Sequence, residues 1–315
     1  MVKQIVTTVS FLFACFSFPA SAQFTHWSSP QKVSAPINSA FLDTCTTISK
    51  NGLTLIFSSN RQTGNALSPD RDLFVSKRMN VNAPWQEAVP LPSLNTVGYW
   101  DSCPQLSLDE HRLYITSNRP GSCGAEDIWV SRRHDRKDDL GWQAPVHLPC
   151  EAEGGINGAG RDLTPVLFED EEGKVIMYFT KSRPGTQFAD ICQSEMRDDD
   201  TFGPATPVTE LNGENFVSAY AVVRRDGLEV IFASNRPGGS GTDASLDLWS
   251  ATRERTTDPW SNITFVPMFG SSPAWTGGHM AFSFDGRELY FNSWAPGGYA
   301  STIPDIYVAR REKQR

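Results

Sequence analysis

Five copies of one short motif recur along this chain, and this repetition limits the folds open to it. The second copy reads Ser117-Asn118-Arg119-Pro120-Gly121 and continues, after a glycine-rich loop, as Asp127-Ile128-Trp129-Val130-Ser131-Arg132. Every copy has an aspartate at the start of this later part, and these marker aspartates are Asp72, Asp127, Asp190, Asp247 and Asp305. They lie 55, 63, 57 and 58 residues apart. A period of this length indicates one supersecondary unit repeated across almost the whole chain.

Each copy divides into four predicted strands. In the second copy they are Cys103 to Ser107, Arg112 to Ser117, Asp127 to Arg132 and a last one running from Trp142 to Leu148. Residue pairs typical of tight hairpins separate the first and second strands of three copies, at Asn51-Gly52, Asp226-Gly227 and Asp285-Gly286. Four-stranded units at this period are typical of propeller blades, so the sequence predicts an all-β fold of four-stranded antiparallel blades.

The fourth strands indicate how the ring closes. An aromatic residue opens this strand in four copies, at Trp85, Trp142, Phe202 and Trp260, but the fifth copy reaches Arg315 without one. The missing element stands at the other end of the chain, from Trp27 to Val33. An N-terminal strand that completes the last blade would cover two open sheet edges. We therefore predict a five-bladed β-propeller closed in this way.

The five copies, with their Ser-Asn-Arg-Pro-Gly and Asp-Ile-Trp segments, resemble the TolB-type (WD40-like) propeller repeat of bacterial envelope and secreted proteins. The resemblance covers essentially everything after the first 22 residues. It implies the propeller fold and an extracytoplasmic setting. It does not imply one function, because this superfamily includes peptide-binding scaffolds, polysaccharide lyases and propellers of peptidases.

The N-terminus has the pattern of an export signal. Lys3 precedes an apolar run from Ile5 to Phe18, and Ala20-Ser21-Ala22 provides a small-residue cleavage site. We expect residues 1–22 to be removed after Ala22, which leaves residues 23–315 as a single domain in the periplasm or outside the cell. An uncleaved anchor and a lipid attached to Cys15 are the alternatives. No later segment is apolar enough to span a membrane.

The charge balance narrows the possible partners. The chain carries 28 Lys and Arg residues against 36 Asp and Glu residues, a net charge of −8. A nucleic-acid-binding protein needs a concentrated basic face, so nucleic acid is excluded as a partner. The acidic balance and the single-domain layout favour a monomer.

Three aspartates are the candidate catalytic carboxylates. Asp43, Asp101 and Asp162 occupy matching positions before the innermost strands of consecutive blades, on the face we call the top, where the Arg-Pro-Gly loops also lie. They could bind Ca2+ through hard oxygen ligands or divide acid and base work on a glycosidic bond. Five-bladed glycosidases of the arabinanase type resemble this layout in arrangement only, because no glutamate here replaces their usual general acid. The alternative is that these residues hold neighbouring strand backbones.

The remaining blades place aromatic side chains where the aspartates are missing. The candidate ligand-binding residues of the mouth are Tyr99, Trp100, Tyr220, Trp275, Trp294 and Tyr299. Aromatic faces beside carboxylates suit a carbohydrate, although a degenerate terminal blade would look the same. His279 lies nearby in sequence and could act as an acid, a base, a cation ligand or a structural hydrogen-bond donor.

The marker aspartates and the cysteines have structural interpretations. An aspartate present once per blade is expected to cap loop amides or to pair with the loop arginine, as Arg119 could with Asp127. Cys123 and Cys150 lie on the top face, and we predict a disulfide between them. Cys45 and Cys103 form a second possible pair, which leaves Cys192 over.

Two classes of function follow. The first, which we favour from the sequence, is a binding propeller that recognises a glycan or an envelope protein or peptide on its top face, with no required cofactor. The second is a carbohydrate-active enzyme, either a glycoside hydrolase or a polysaccharide lyase, that uses Asp43, Asp101 and Asp162 with His279.

Overall fold

The computed structural model describes residues 24–61, 70–240, 246–268, 278–293 and 303–314. Its twenty strands form five four-stranded antiparallel sheets, and only two short 3-10 helices, Glu151–Glu153 and Thr209–Leu211, occur in the described part. The prediction of an all-β, five-bladed propeller is confirmed. The candidate signal segment, residues 1–22, lies outside the described residues.

The blades follow one another along the chain, and each runs from an innermost to an outermost strand. Blade 1 contains β2 (Asp43–Ile48), β3 (Thr54–Ser59), β4 (Asp72–Lys77) and β5 (Val89–Pro90). Blade 2 contains β6 (Asp101–Leu106), β7 (Arg112–Ser117), β8 (Asp127–Arg132) and β9 (Val146–His147). Blade 3 contains β10 (Asp162–Glu169), β11 (Val175–Ser182), β12 (Ala189–Glu195) and β13 (Thr206–Pro207). Blade 4 contains β14 (Ser218–Val223), β15 (Glu229–Ser234), β16 (Asp247–Thr252) and β17 (Ser261–Phe265).

Blade 5 is completed by the N-terminal strand, as predicted. It contains β18 (Gly278–Phe282), β19 (Glu288–Ser293), β20 (Asp305–Arg310) and, as its outermost strand, β1 (Gln31–Lys32). Gln31 pairs with Val308 and Lys32 with Tyr307. The innermost strands contact one another in the order β2, β6, β10, β14 and β18, and β18 contacts β2. The ring is therefore closed.

The core lies between blades, because both faces of each middle strand are covered by a neighbouring blade. Strand β15 is an example: Val230, Ile231, Phe232 and Ala233 are all completely buried. This explains why the middle strands read as continuous apolar runs rather than as an alternating pattern. Burying one such large side chain contributes about 1.5–3 kcal/mol, so the blade interfaces dominate the stability of the ring.

A repeated arginine contact holds the outer strands to the rest of their blades. In blade 2, Arg133 donates from Nε to the carbonyl of Glu110 and lies over the Trp142 ring, 4.4 Å from its centroid. In blade 5 the arrangement recurs, with Arg311 over the Trp27 ring at 4.2 Å. Trp27 therefore takes the place of the outer-strand aromatic residue that the fifth copy lacks. Trp85, Trp142 and Trp260 are buried in clusters that include side chains of the neighbouring blade.

Candidate functional site

One residue near the start of each innermost strand points into the central channel, the third residue of the strand in blades 1 to 4 and the second in blade 5. These five residues, which we call the upper ring, are Cys45, Cys103, Thr164, Tyr220 and His279. All five have a left-handed backbone, with φ between 45° and 56°. A register shift in the pairing with the next strand accompanies each of them, as between Ser102 and Gln105. The sequence predicted the innermost strands but not this bulge, which turns side chains toward the channel axis.

The three candidate aspartates begin their strands two residues before the upper ring, and their side chains are completely buried. Each is paired with a cation of its own blade. Asp43 binds Arg61 at 2.6 Å in blade 1, Asp101 binds Arg119 at 2.5 Å in blade 2, and Asp162 binds Lys181 at 2.8 Å in blade 3. No described cation is shared between two of these aspartates.

Each aspartate also binds the loop that leads into its strand. The backbone N–H of Ser39 donates to Asp43, that of Thr96 to Asp101, and that of Gly158 to Asp162. Burial raises the pKa of Asp101 above its ordinary value, while Arg119 opposes the shift; the pKa of Asp162 is raised for the same reason. The described contacts of these carboxylates are thus structural ones, and among the described residues their oxygens belong to no group of ligands close enough to hold one ion such as Ca2+. Their catalytic assignment stays a prediction.

A regular spacing accompanies these ion pairs. The aspartate and its arginine are 18 residues apart in both blade 1 and blade 2. In blade 4 the same spacing joins Ser218 and Arg236, whose Nη2 lies 3.3 Å from the serine Oγ. Arg236 has no carboxylate partner among the described residues, and burial lowers its pKa to about 10. The spacing of 18 residues is the sequence signal that could have revealed the pairs.

Tyr220 and His279 lie side by side in the upper ring. Their ring centroids are 4.3 Å apart, and His279 Nδ1 is 3.1 Å from Cys103 Sγ. Burial, with Arg71 and Arg161 nearby, lowers the pKa of His279 to about 3. The imidazole is therefore neutral near pH 7, which suits an acceptor or a ligand better than a general acid.

Two arginines that sequence analysis missed lie near Tyr220 and His279. Arg71 directly precedes β4 and Arg161 directly precedes β10. The charges of both act on the Tyr220 hydroxyl and on the His279 imidazole. Arg161 binds both carboxylate oxygens of Glu126, at 2.6 and 2.8 Å. Arg71 forms no ion pair with a carboxylate of the described residues, and burial lowers its pKa.

Trp100 extends this group of side chains at the mouth. Trp100 is 37% exposed, and the Arg71 guanidinium lies 4.8 Å from the centroid of its ring. Tyr99 is half-buried beside it. The other three predicted aromatic ligand residues, Trp275, Trp294 and Tyr299, lie outside the described residues. The residues that the structure brings together at the mouth are thus aromatic and cationic.

The marker aspartates support the top loops. Asp127 accepts from the Cys123 N–H, Asp247 accepts from the Ser240 N–H, and Asp190 pairs with Arg183. These contacts confirm the capping and pairing roles. The suggested pair of Arg119 with Asp127 is wrong, because the side chain of Arg119 turns toward the channel side of its blade and binds Asp101. Asp127 binds His147 at 2.7 Å instead.

Both predicted disulfides are present. Cys123 is bonded to Cys150, and Cys45 is bonded to Cys103 across the channel wall between blades 1 and 2. Cys192 is a buried free thiol whose pKa is raised to about 12 by burial. Among the described residues there is no helix of the length and apolar character needed to cross a membrane.

No protein-family model matches this chain, and neither does the sequence of any curated protein. Solved structures do. The chain is similar to the α-L-arabinofuranosidase of Podospora anserina solved with cellotriose, at 14% identity and a TM-score of 0.56, over 92% of this chain and 98% of that one. It is also similar to an endo-arabinase of Bacteroides thetaiotaomicron, at 15% identity and a TM-score of 0.58, over 90% and 99% of the two chains.

A third similar structure is a GH43 β-xylosidase/α-arabinofuranosidase from a compost metagenome, solved with xylotriose in a calcium-free form. It is 13% identical, with a TM-score of 0.58 over 89% of this chain and 94% of that one. At these identities the similarity shows that the propeller fold is shared, and the reaction has to be argued from the residues of this chain.

Proposed function

We propose that this chain is a carbohydrate-active enzyme that binds a uronate-containing saccharide over the top mouth of its channel and cleaves it by elimination. The observation that carries the proposal is the position of Arg71. Its side chain is half-buried and forms no ion pair among the described residues, although the charge of Glu126 acts on it, and its own charge acts on Tyr220 and His279. A half-buried cation that is not bound directly by a carboxylate loses part of its hydration, and a carboxylate of the ligand would compensate for that loss.

The aromatic residues of the mouth support a sugar as this ligand. Trp100 exposes part of its ring beside Arg71, so a bound uronate could place its carboxylate on the guanidinium and its C–H face on the indole. Tyr220 lines the channel cavity of the upper ring. The propellers similar to this chain include two solved with oligosaccharides, which adds support from the fold.

Elimination fits these side chains better than hydrolysis does. Hydrolysis with acid and base carboxylates needs two groups that reach the sugar, whereas Asp43, Asp101 and Asp162 are buried against their own cations. In elimination, a base removes the proton from C5, the C4–O4 bond breaks, a C4–C5 double bond forms, and the leaving oxygen takes up a proton. A cation on the carboxylate stabilises the charge that develops next to C5.

We assign the base to Tyr220. Two nearby cations, Arg71 and Arg161, favour loss of the phenol proton of Tyr220. The neutral His279 ring packs beside the Tyr220 ring and could accept a hydrogen bond during the reaction. Arg161 already binds the carboxylate of Glu126, so its charge is less available to a substrate carboxylate. Arg71 is therefore the residue we assign to the substrate carboxylate.

We also propose that the protein is exported and belongs with the TolB-type propellers. The signal-like N-terminus, the five repeats and the two disulfides support this assignment.

The test is an assay with polygalacturonate, alginate and glucuronoxylan beside neutral arabino- and xylo-oligosaccharides. We expect unsaturated uronate products, read by their ultraviolet absorbance, from a carboxylated substrate only. Tyr220→Phe should lower kcat by about 10²–10⁴-fold, which is the usual contribution of a positioned base. Arg71→Gln should raise KM, while the exposed Arg255→Gln serves as a control and should change neither constant.

Three other results would overturn the proposal in different ways. New reducing ends without unsaturated product would indicate hydrolysis and return attention to the aspartates. Saccharide binding by calorimetry without any product would favour the binding-only function. Absence of both binding and product across these saccharides would remove the carbohydrate assignment.

A further inference from the structure

Three metal-ligating side chains of the upper ring converge inside the channel. They are Cys45, Cys103 and His279, and their ligand atoms all lie within 4.8 Å of one another. His279 Nδ1 is 3.1 Å from Cys103 Sγ. This cluster takes no part in holding a blade together, since its members come from three different blades.

The backbone places these side chains in advance. Cys45 and Cys103 are the third residues of β2 and β6, and His279 is the second residue of β18. Their blades, 1, 2 and 5, are neighbours in the closed ring. Their φ angles are 45°, 49° and 47°, a left-handed conformation that costs L-residues roughly 1–2 kcal/mol each. The strands on either side hold this conformation, so the two sulfurs and the imidazole are directed at the axis before any ion arrives.

The space beside the cluster has the size of a single ion or water. The upper ring surrounds a cavity of about 20 Å³, which holds one water-sized occupant. Thr164 and Tyr220 complete its wall, and the Tyr220 ring, 4.3 Å from that of His279, limits rotation of the imidazole. An occupant would have three protein ligands on one side and an open position on the other.

We propose that the reduced form of this protein binds a thiophilic divalent cation of the Zn2+ class through Cys45, Cys103 and His279. Two sulfurs and one nitrogen with an open fourth position make a donor set typical of zinc. In the described structure the two cysteines form a disulfide, so binding begins with its reduction. A dithiol supplies two electrons and two protons and becomes a disulfide itself. The cation then displaces the two thiol protons.

Oxidation reverses this sequence. A small-molecule disulfide takes two electrons from the thiolates and is itself cleaved to two thiolates, which restores the Cys45–Cys103 bond; the cation then leaves because a disulfide no longer offers thiolate ligands. The channel would therefore hold metal in the reduced protein and release it in the oxidised one.

The same chain contains a second cluster that serves as a control. Cys123, Cys150 and His147 also have ligand atoms within 4.8 Å of one another. However, His147 Nε2 already binds Asp127 at 2.7 Å and is 3.8 Å from Cys123 Sγ. Because this nitrogen is occupied, we expect the control cluster to bind the cation much more weakly.

The experiment is an anaerobic titration of the dithiol-reduced, metal-free protein with Co2+, followed by competition with Zn2+. We expect one equivalent of Co2+ with thiolate charge-transfer absorption, displaced by Zn2+, and none with the oxidised protein. Cys103→Ser and His279→Gln should weaken binding on the order of 100-fold or more, because loss of even an outer-shell partner costs 10–100-fold. His147→Gln should bind as the wild type does.

A measurement on the unaltered protein guards against variants that fail to fold. Zn2+ should protect Cys45 and Cys103 of the reduced wild type from alkylation, while Cys123 and Cys150 stay reactive, as mapped by peptide mass. Absence of cobalt absorption in the reduced protein, absence of this protection, or loss of binding only in His147→Gln would overturn the proposal.

Discussion

Replacement of Asp101 by alanine tests whether the inner-strand carboxylates are structural. The Asp101 side chain is completely buried and binds Arg119 Nη2 at 2.5 Å, the Ser117 hydroxyl at 2.6 Å and the Thr96 N–H at 2.5 Å. Alanine removes all three contacts. It also leaves the Arg119 guanidinium, which is nearly buried, without a counter-charge.

The expected loss of stability follows from that orphaned charge. Removing one partner of a buried ion pair costs about 3–5 kcal/mol. The matched change in blade 3, Asp162→Ala, should cost less, because Lys181 is more exposed and keeps a second carboxylate, Glu151, at 3.1 Å. We expect about 1–3 kcal/mol there, between the ranges for surface and buried pairs. Asp101→Ala should thus be clearly the more damaging substitution.

Urea unfolding followed by tryptophan fluorescence measures both losses, since the chain has nine tryptophans. Adding Arg119→Met to Asp101→Ala should recover part of the loss by removing the unpaired charge. The reasoning would be refuted if Asp101→Ala unfolded within 1 kcal/mol of the wild type, or if Arg119→Met made it worse. A stable Asp101→Ala variant that has lost saccharide cleavage would instead assign this carboxylate to catalysis.

Three further predictions concern charge and titration. Ser218→Asp should stabilise the fold by about 1–3 kcal/mol in urea unfolding, because it gives the half-buried Arg236 the carboxylate partner that Arg61 and Arg119 have; a lower unfolding midpoint would contradict this. In the oxidised protein without residues 1–22, Cys192 is the free cysteine, and it is buried with its pKa raised to about 12. A disulfide reagent at pH 8 should therefore detect no reactive thiol in the folded protein and one reactive thiol after unfolding. In the metal-free protein, the pKa of His279 is lowered to about 3 from the 6.5 expected in the unfolded chain. Below pH 6.5 the imidazole is therefore protonated in the unfolded chain but not in the folded one, and the free energy of unfolding falls as the pH drops. From pH 7 to 5 the fall should be about 1–2 kcal/mol in denaturant titrations, and His279→Gln should lack it.

Much of the fold was predictable because local and repeated signals agree. The strand bounds of β7 and β8 match the prediction residue for residue, and β6 begins two residues earlier than predicted, at Asp101. The outer strand of blade 2 is shorter than predicted and comprises only Val146 and His147. Outer strands have one neighbour, so pairing ends where the chain bends away, and the sequence pattern does not report that point.

The candidate site was less predictable. The sequence indicated Tyr220, His279 and Trp100, but it did not indicate Arg71 or Arg161, which lie next to strand starts without any motif of their own. It also placed Arg119 with the wrong aspartate. The partner of Arg119 depends on which of two carboxylates in its own blade lies within about 3 Å of the guanidinium, and the repeat pattern does not report that distance.

Taken alone, the sequence determined the repeat, the number of blades and the strand that closes the ring, because these depend on periodicity and on the covering of sheet edges. Tertiary structure decided which groups face the channel. The left-handed residue in each inner strand turns Cys45, Cys103 and His279 toward one another, although 58 residues separate the two cysteines and the histidine lies in the last blade. Ring closure brings blade 5 next to blade 1, and that contact turns distant residues into one cluster.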